Sequence, residues 1–373
     1  MIAGETLNVI DPAEGVSTNA GASGNAASVH AEDEDVRVKS LQLTRNVSAR
    51  TDVEVHGWSP HTAANTAAVG QGLNTDVSGG SLRAHAQQAV GQAQDGPPSL
   101  IEAQTRVTAT KSSSGDTSAL SVAVGNDQAH RVQGGDARVR SEQYHYGAGT
   151  RAATEVGLFH VTGEAQLSAV AGANQTVLEA SSDTARLRAD QRSTGSTEAS
   201  VVGEVDNGQT VGAFSSAAAN SVSLANQGAN TRGKVTQDHQ GYVRAESGLY
   251  VGAFGAVSAV ANGVGNTVSA VGYGPALTLN TDQLNSGGVD ATAAFEGVDG
   301  YDAEVHASAY GNAVSAQVCS DCDGALTAKN TQVNEGGVQA QTRVNVTGGA
   351  RAVVSTSTAV GNQASYVVTR PNH

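Results

Sequence analysis

The stretch Gly263-Val264-Gly265-Asn266 is a run of small residues closed by an amide, and it returns along the whole chain. Toward the N terminus come Ala217-Ala218-Ala219-Asn220, Ala171-Gly172-Ala173-Asn174, Ala123-Val124-Gly125-Asn126, Gly70-Gln71-Gly72-Leu73-Asn74 and Ala22-Ser23-Gly24-Asn25. Toward the C terminus come Tyr310-Gly311-Asn312 and Ala359-Val360-Gly361-Asn362. The eight Asn are spaced by 49, 52, 48, 46, 46, 46 and 50 residues. Self-similarity at a nearly fixed period is the mark of a repeat architecture.

A second landmark has the same period. Gly149, Gly195, Gly241, Gly288 and Gly337 each precede a repeat Asn by 24 or 25 residues. The return from Asn to Gly varies from 21 to 25, and such length variation belongs to turns. A segment of alternating apolar and polar residues follows each Gly, as in Val338-Gln-Ala-Gln-Thr-Arg-Val-Asn-Val. That is the period-2 pattern of a half-buried strand. Gly, Asn and Asp fall between the strands, where turns need them. The chain therefore reads as all-β: a β-solenoid of eight repeats of about 48 residues. At that length each repeat is expected to supply two coils of ~24 residues, about 16 coils in all, stacked at ~4.8 Å into a rod of roughly 75 Å. An eight-bladed propeller is the competing architecture, since a four-stranded blade has a similar length. The expected organisation is a cap or tail over residues 1–20 and one continuous solenoid over 21–373. The eight Asn (Asn25, Asn74, Asn126, Asn174, Asn220, Asn266, Asn312 and Asn362) are expected to stack as an amide ladder at a turn.

Composition narrows the function. Of 373 residues only 3% are aromatic while 45 are Gly, which suits a thin interior between close backbones rather than a wide core. The formal charge is −14, and the one run of like charge is Glu32-Asp33-Glu34-Asp35. No basic run is visible, so nucleic acid is not an expected partner. No phosphate-binding loop, no His-Glu-x-x-His and no tandem calcium-binding nonapeptide occurs. Carboxylates such as Glu296, Asp299 and Asp302 sit in otherwise regular repeats. The expectation is a non-enzyme with no catalytic residues, no metal and no cofactor. Cys319 and Cys322 are spaced as Cys-x-x-Cys, which reads as a local disulfide in an exported protein or a redox motif in a cytosolic one. Trp58, Tyr144 and Tyr146 are candidates for stacking on sugars, or else they pack between coils. The chain opens Met1-Ile2-Ala3-Gly4-Glu5 without a basic n-region, so an export signal is expected to have been removed.

The units Gly311-Asn312-Ala313-Val314-Ser315 and Gly361-Asn362-Gln363-Ala364-Ser365 resemble curlin-type rungs, as does the turn Gln332-Val333-Asn334-Glu335-Gly336. Over its full length, in pattern, repeat style and acidic Ala/Gly/Asn-rich composition, the chain more closely resembles the holdfast-anchoring protein D family of stalked alphaproteobacteria. The resemblance implies a cell-surface adhesin at the outer membrane that anchors an extracellular adhesive polysaccharide. It also implies two partners, a curlin-like subunit and an outer-membrane lipoprotein pore. End-to-end self-association into an amyloid-like filament is the alternative reading, and a polysaccharide-processing β-helix enzyme a further one.

Overall fold

The structure is a computed structural model that describes residues 1–10, 14–91, 99–147, 149–318 and 324–368. Every described element is a strand. They are β1 (Ile2–Val9), β2 (Val16–Glu32), β3 (Val36–Thr44), β4 (Val47–Val55), β5 (Ser59–Ser78) and β6 (Leu82–Val90). Then follow β7 (Leu100–Gln133), β8 (Ala137–His145), β9 (Gly149–Ser181), β10 (Thr184–Ser193), β11 (Ser196–Asn226) and β12 (Asn230–His239). The last six are β13 (Tyr242–Gly272), β14 (Ala276–Asn285), β15 (Gly288–Val318), β16 (Ala325–Asn334), β17 (Val338–Val346) and β18 (Ala352–Val368).

All ladders are parallel and join each repeat to the next. In β11 and β13, Thr197 pairs with Val243 and Asn220 with Asn266; in β10 and β12, Ala189 pairs with Val235. The stacking offset is thus one whole repeat. This makes the chain a β-solenoid and excludes the propeller, whose blades are antiparallel. It also corrects the coil count, because each repeat is one wide coil rather than two narrow ones. Eight coils at ~4.8 Å stack to roughly 38 Å, half the expected rod.

The two half-repeats lie side by side within a coil. In the coil of β11 and β12, Ala199, Val201 and Val205 face Val211, Ala213, Ala217 and Ala219 across one apolar layer. Val222 and Leu224 belong to a second layer with Val235. Each coil therefore has two arches, a first lobe over 197–219 and a second over 220–239. Each buried Val or Leu contributes on the order of 1.5–3 kcal/mol.

The small-residue-plus-Asn signature marks the junction between lobes. In β11 the buried positions are odd-numbered from Val211 to Ala219 and even-numbered from Asn220 onward, so two adjacent residues point inward. The alternation slips by one, and the inward face continues round the bend. The slip leaves little room. A Cβ on Gly265 would lie 2.5 Å from the carbonyl of Gly311 and 2.9 Å from Oδ1 of Asn285. The Asn column therefore lies inside continuous strands rather than in a turn, as had been expected.

Residues 2–9, expected to cap or trail, instead form a rung. β1 pairs in register with β4, and Ala3, Leu7 and Val9 pack on the first lobe. Of the expected turn glycines, Gly195 and Gly241 sit in the bend before the first lobe. Gly149, Gly288 and Gly337 lie one residue further on. Gly149 pairs with Ser196 and Gly288 with Tyr242. The bend in those later coils is occupied by Gly287 and Gly336, whose added Cβ would collide with the carbonyls of Gly241 and Gly287. Close stacking of carbonyls, not positive φ, requires glycine there. Positive φ is found at other corners, including Gly79 and Gly134.

Candidate functional site

The interior carries hydrogen-bonded ladders that run from coil to coil. Asn126 donates from Nδ2 to Oδ1 of Asn174 at 2.7 Å, and the relay continues through Asn220 (2.8 Å), Asn266 (2.8 Å), Asn312 (2.8 Å) and Asn362 (2.7 Å). The second amide hydrogen goes to a backbone carbonyl of the facing strand, for example Asp238 O from Asn220 at 3.2 Å. Asn74 does not belong to this column. It is exposed and pairs with Ser28 and Ala129, while Gln71 takes the rung between Asn25 and Asn126. Gln is an amide one methylene longer, and it reaches the facing carbonyl of Ala89 in the same way.

A second amide ladder was not expected from the sequence. Gln42, Gln88, Gln143, Gln191, Gln237, Gln283 and Gln332 occupy one column of the second lobe. Each from Gln88 onward donates to the Oε1 of the Gln one coil earlier, at 2.7–3.0 Å. Each also donates to a carbonyl across the lobe, such as Ser221 O from Gln191 at 2.9 Å. Its donors point toward the N terminus, whereas those of the Asn ladder point toward the C terminus. A chain of buried hydroxyls (Thr51, Thr66, Thr105, Ser121 and Thr154) links coils in the first lobe at 2.7–2.9 Å. Satisfied buried polar networks of this kind rigidify a fold and fix its register.

Outward-facing residues stack by the same register. On the outer face of the seven-stranded sheet, Arg37, Arg83, Arg138, Arg186 and Arg232 form one unbroken row. Two residues along lies a second row: Lys39, His85, Arg140, Arg188, Lys234, Asn280 and Lys329. The two rows hold ten of the 21 Lys and Arg of an acidic chain. So a basic face exists where the sequence shows no basic run. Arg138 pairs with Asp136 (3.3 Å) and Arg188 with Asp190 (3.1 Å). Arg140 pairs with Glu142, which His85 approaches at 3.4 Å. Burial works against ionisation of Glu142, but Gln87 and Arg140 together hold its carboxyl below the usual range. Among the described residues, Arg37, Arg83, Arg186, Arg232, Lys39 and Lys234 have no carboxylate within 4.0 Å. A shallow trough of ≈ 610 Å³ runs along the rows.

A second trough, ≈ 790 Å³, follows the outer corner of the first lobe past His160, Asn207, Phe254, Tyr301 and Arg351. Arg351 lies 5.8 Å over the Tyr301 ring and pairs with Asp302, whose carboxyl its hydrogen bond lowers. Asp299 accepts from the backbone of Gly349 at 3.0 Å. These carboxylates tie neighbouring coils at the corner. Trp58, half exposed, stands on the same corner two coils below His160. Tyr144 and Tyr146 stack at 5.6 Å near the junction of the lobes. About the length of β4, nine residues, separates them from Trp58, so the three aromatics do not form one site. Cys319 and Cys322 lie outside the described residues.

Wide parallel coils, continuous amide ladders and periodic outer rows define a β-solenoid repeat protein. A model of the family described as holdfast attachment protein D matches residues 10–288, well over half of the chain. The chain belongs to the holdfast attachment protein D family, and its role is in holdfast attachment at the cell surface. The coils beyond residue 288 continue in the same register. No curated protein and no solved structure matches the chain.

Proposed function

We propose that the chain is a non-catalytic surface adhesin that grips the adhesive polysaccharide of the holdfast and ties it to the cell envelope, on the extracellular side of the outer membrane. The observation that carries this reading is the periodicity of the outer faces. Each coil presents the same kinds of side chain at the same place, so a polymer of repeating units meets a repeating surface, and many weak contacts add along it. The buried ladders suit such a body to load, since pulling coils apart means breaking several amide bonds per interface. The outer-membrane lipoprotein pore and the curlin-like subunit enter the same proposal as partners in export and assembly. Copies associating end to end would extend the ladders.

Retention on isolated surface polysaccharide, with imaging of the same sample, tests the reading. Discrete particles held on the polysaccharide support the anchor. Fibres formed without polysaccharide, together with no retention on it, refute the anchor and favour a filament subunit.

A further inference from the structure

We propose that the twin basic rows on the seven-stranded sheet are a rail for a linear acidic glycan of the polyuronate kind, lying along the solenoid axis and crossing the strands. The inference rests on the polysaccharide-anchor reading and adds the ligand's chemistry and its place on the molecule.

The direction follows from the register. Cations of one row recur once per coil, at ~4.8 Å, and the two rows stand two residues apart, about 7 Å. Five consecutive Arg span four coil spacings, about 19 Å along the axis. A chain with one carboxylate per sugar meets one guanidinium per coil in the first row, and Lys, His or Arg in most coils of the second. Arg matches carboxylates with its planar fork and holds them in two parallel hydrogen bonds. The unpaired Arg37, Arg83, Arg186 and Arg232 are exposed and free to do so, and Lys39 and Lys234 add exposed point charges.

The class of polymer follows from what borders the rail. On one side stand Asp35 and Asp136, and on the other Glu142, Asp190 and Asp282. The positive strip is therefore two rows wide, with carboxylates on both borders interrupted by Ser81, Thr184 and Asn230 on one side and by Gln87 and Thr236 on the other. A single sugar chain fits between these carboxylates. A nucleic-acid duplex, whose major groove alone is about 12 Å wide, would lay phosphates over them. Single-stranded nucleic acid binds through aromatic platforms, and no Trp, Tyr or Phe stands in either row. The basic rows explain how a chain of net charge −14 holds an anion: their attraction is local, and the overall charge disfavours anions elsewhere.

The test measures binding of the full chain to immobilised polygalacturonate, to the same polymer with its carboxyls reduced, and to duplex DNA. The variants are R186Q/R232Q/K234Q on the rail and R151Q/R244Q on the other sheet as control. The expected result is binding of the polyuronate that falls steeply with added salt, at least a tenfold loss in the rail variant and no change in the control. Circular dichroism of each variant verifies the fold, since all substituted groups are exposed. Equal binding of the carboxyl-reduced polymer, tighter binding of DNA, or an unchanged rail variant each overturns the proposal. Isolated surface polysaccharide separates the two readings. Retention of wild type and rail variant alike sinks the rail and leaves the anchor. Rail-dependent polyuronate binding without retention on surface polysaccharide keeps the rail and sinks the anchor.

Discussion

Gln191→Leu tests whether the buried glutamine ladder holds the coils together. Gln191 donates to Gln143 Oε1 at 2.8 Å and to Ser221 O at 2.9 Å, and accepts from Gln237 Nε2 at 2.8 Å. Leucine has a similar volume and makes none of these bonds. Gln143 Oε1 keeps a second donor, the Thr176 hydroxyl at 3.0 Å. One Gln237 amide hydrogen keeps no replacement in a site shut off from water, and the half-buried Ser221 carbonyl loses one donor. At about 1–3 kcal/mol for the stranded amide and about 1 kcal/mol for the lost carbonyl bond, the loss is roughly 2–4 kcal/mol. Gln332, in the last described coil of the ladder, makes the same two donations at 2.8 and 3.0 Å but is partly exposed. Water replaces its bonds, so Gln332→Leu costs about 1 kcal/mol or less. Urea unfolding followed by circular dichroism gives the global loss. Hydrogen exchange of β10–β12 peptides gives the local one, which matters because neighbouring coils of a repeat protein can open separately. A Q191L loss under about 0.5 kcal/mol, or equal damage from Q332L, refutes the claim that the ladder binds coil to coil.

Burial lowers His130, His145 and His239 each to about 4. The unfolded chain, with pKa near 6.5, takes up protons that the folded chain refuses, so stability is full above pH 6.5 and falls as the pH drops toward 4. The limit is roughly 3 kcal/mol per imidazole, and a midpoint for urea unfolding that does not change between pH 7 and 4.5 would rule this out. Gly287→Ala drives a Cβ into the Gly241 carbonyl, while Gly337→Ala meets nothing within 4 Å; thermal melts should show a large loss for the first and little for the second. Asn220→Ala breaks two ladder bonds and a bond to Asp238 O and should cost about 2–4 kcal/mol. Asn74→Ala, at an exposed position outside the ladder, should stay within about 0.5 kcal/mol of wild type in the same urea titration.

By itself the sequence determined that the chain is all-β, repeats eight times, and carries a stacked amide in most repeats, because period-2 alternation and a fixed Asn spacing are local and countable. It also held the expected half-repeat of ~24 residues, but could not say what that half does. An arch that stacks on itself and an arch that lies beside its neighbour show the same alternation. Only the pairing of Thr197 with Val243 decided that two arches share one coil. The same limit explains Asn74. It is the nearest Asn to Gly70, whereas the coil register selects Gln71 three residues earlier. The glutamine ladder and the basic rail were present in the sequence as Gln and Arg recurring 46 to 55 residues apart. Each was isolated along the chain, among acidic neighbours in the case of the Arg. Turns of unequal length hide such columns until hydrogen bonding fixes the register, and then residues a whole repeat apart become neighbours at one strand spacing.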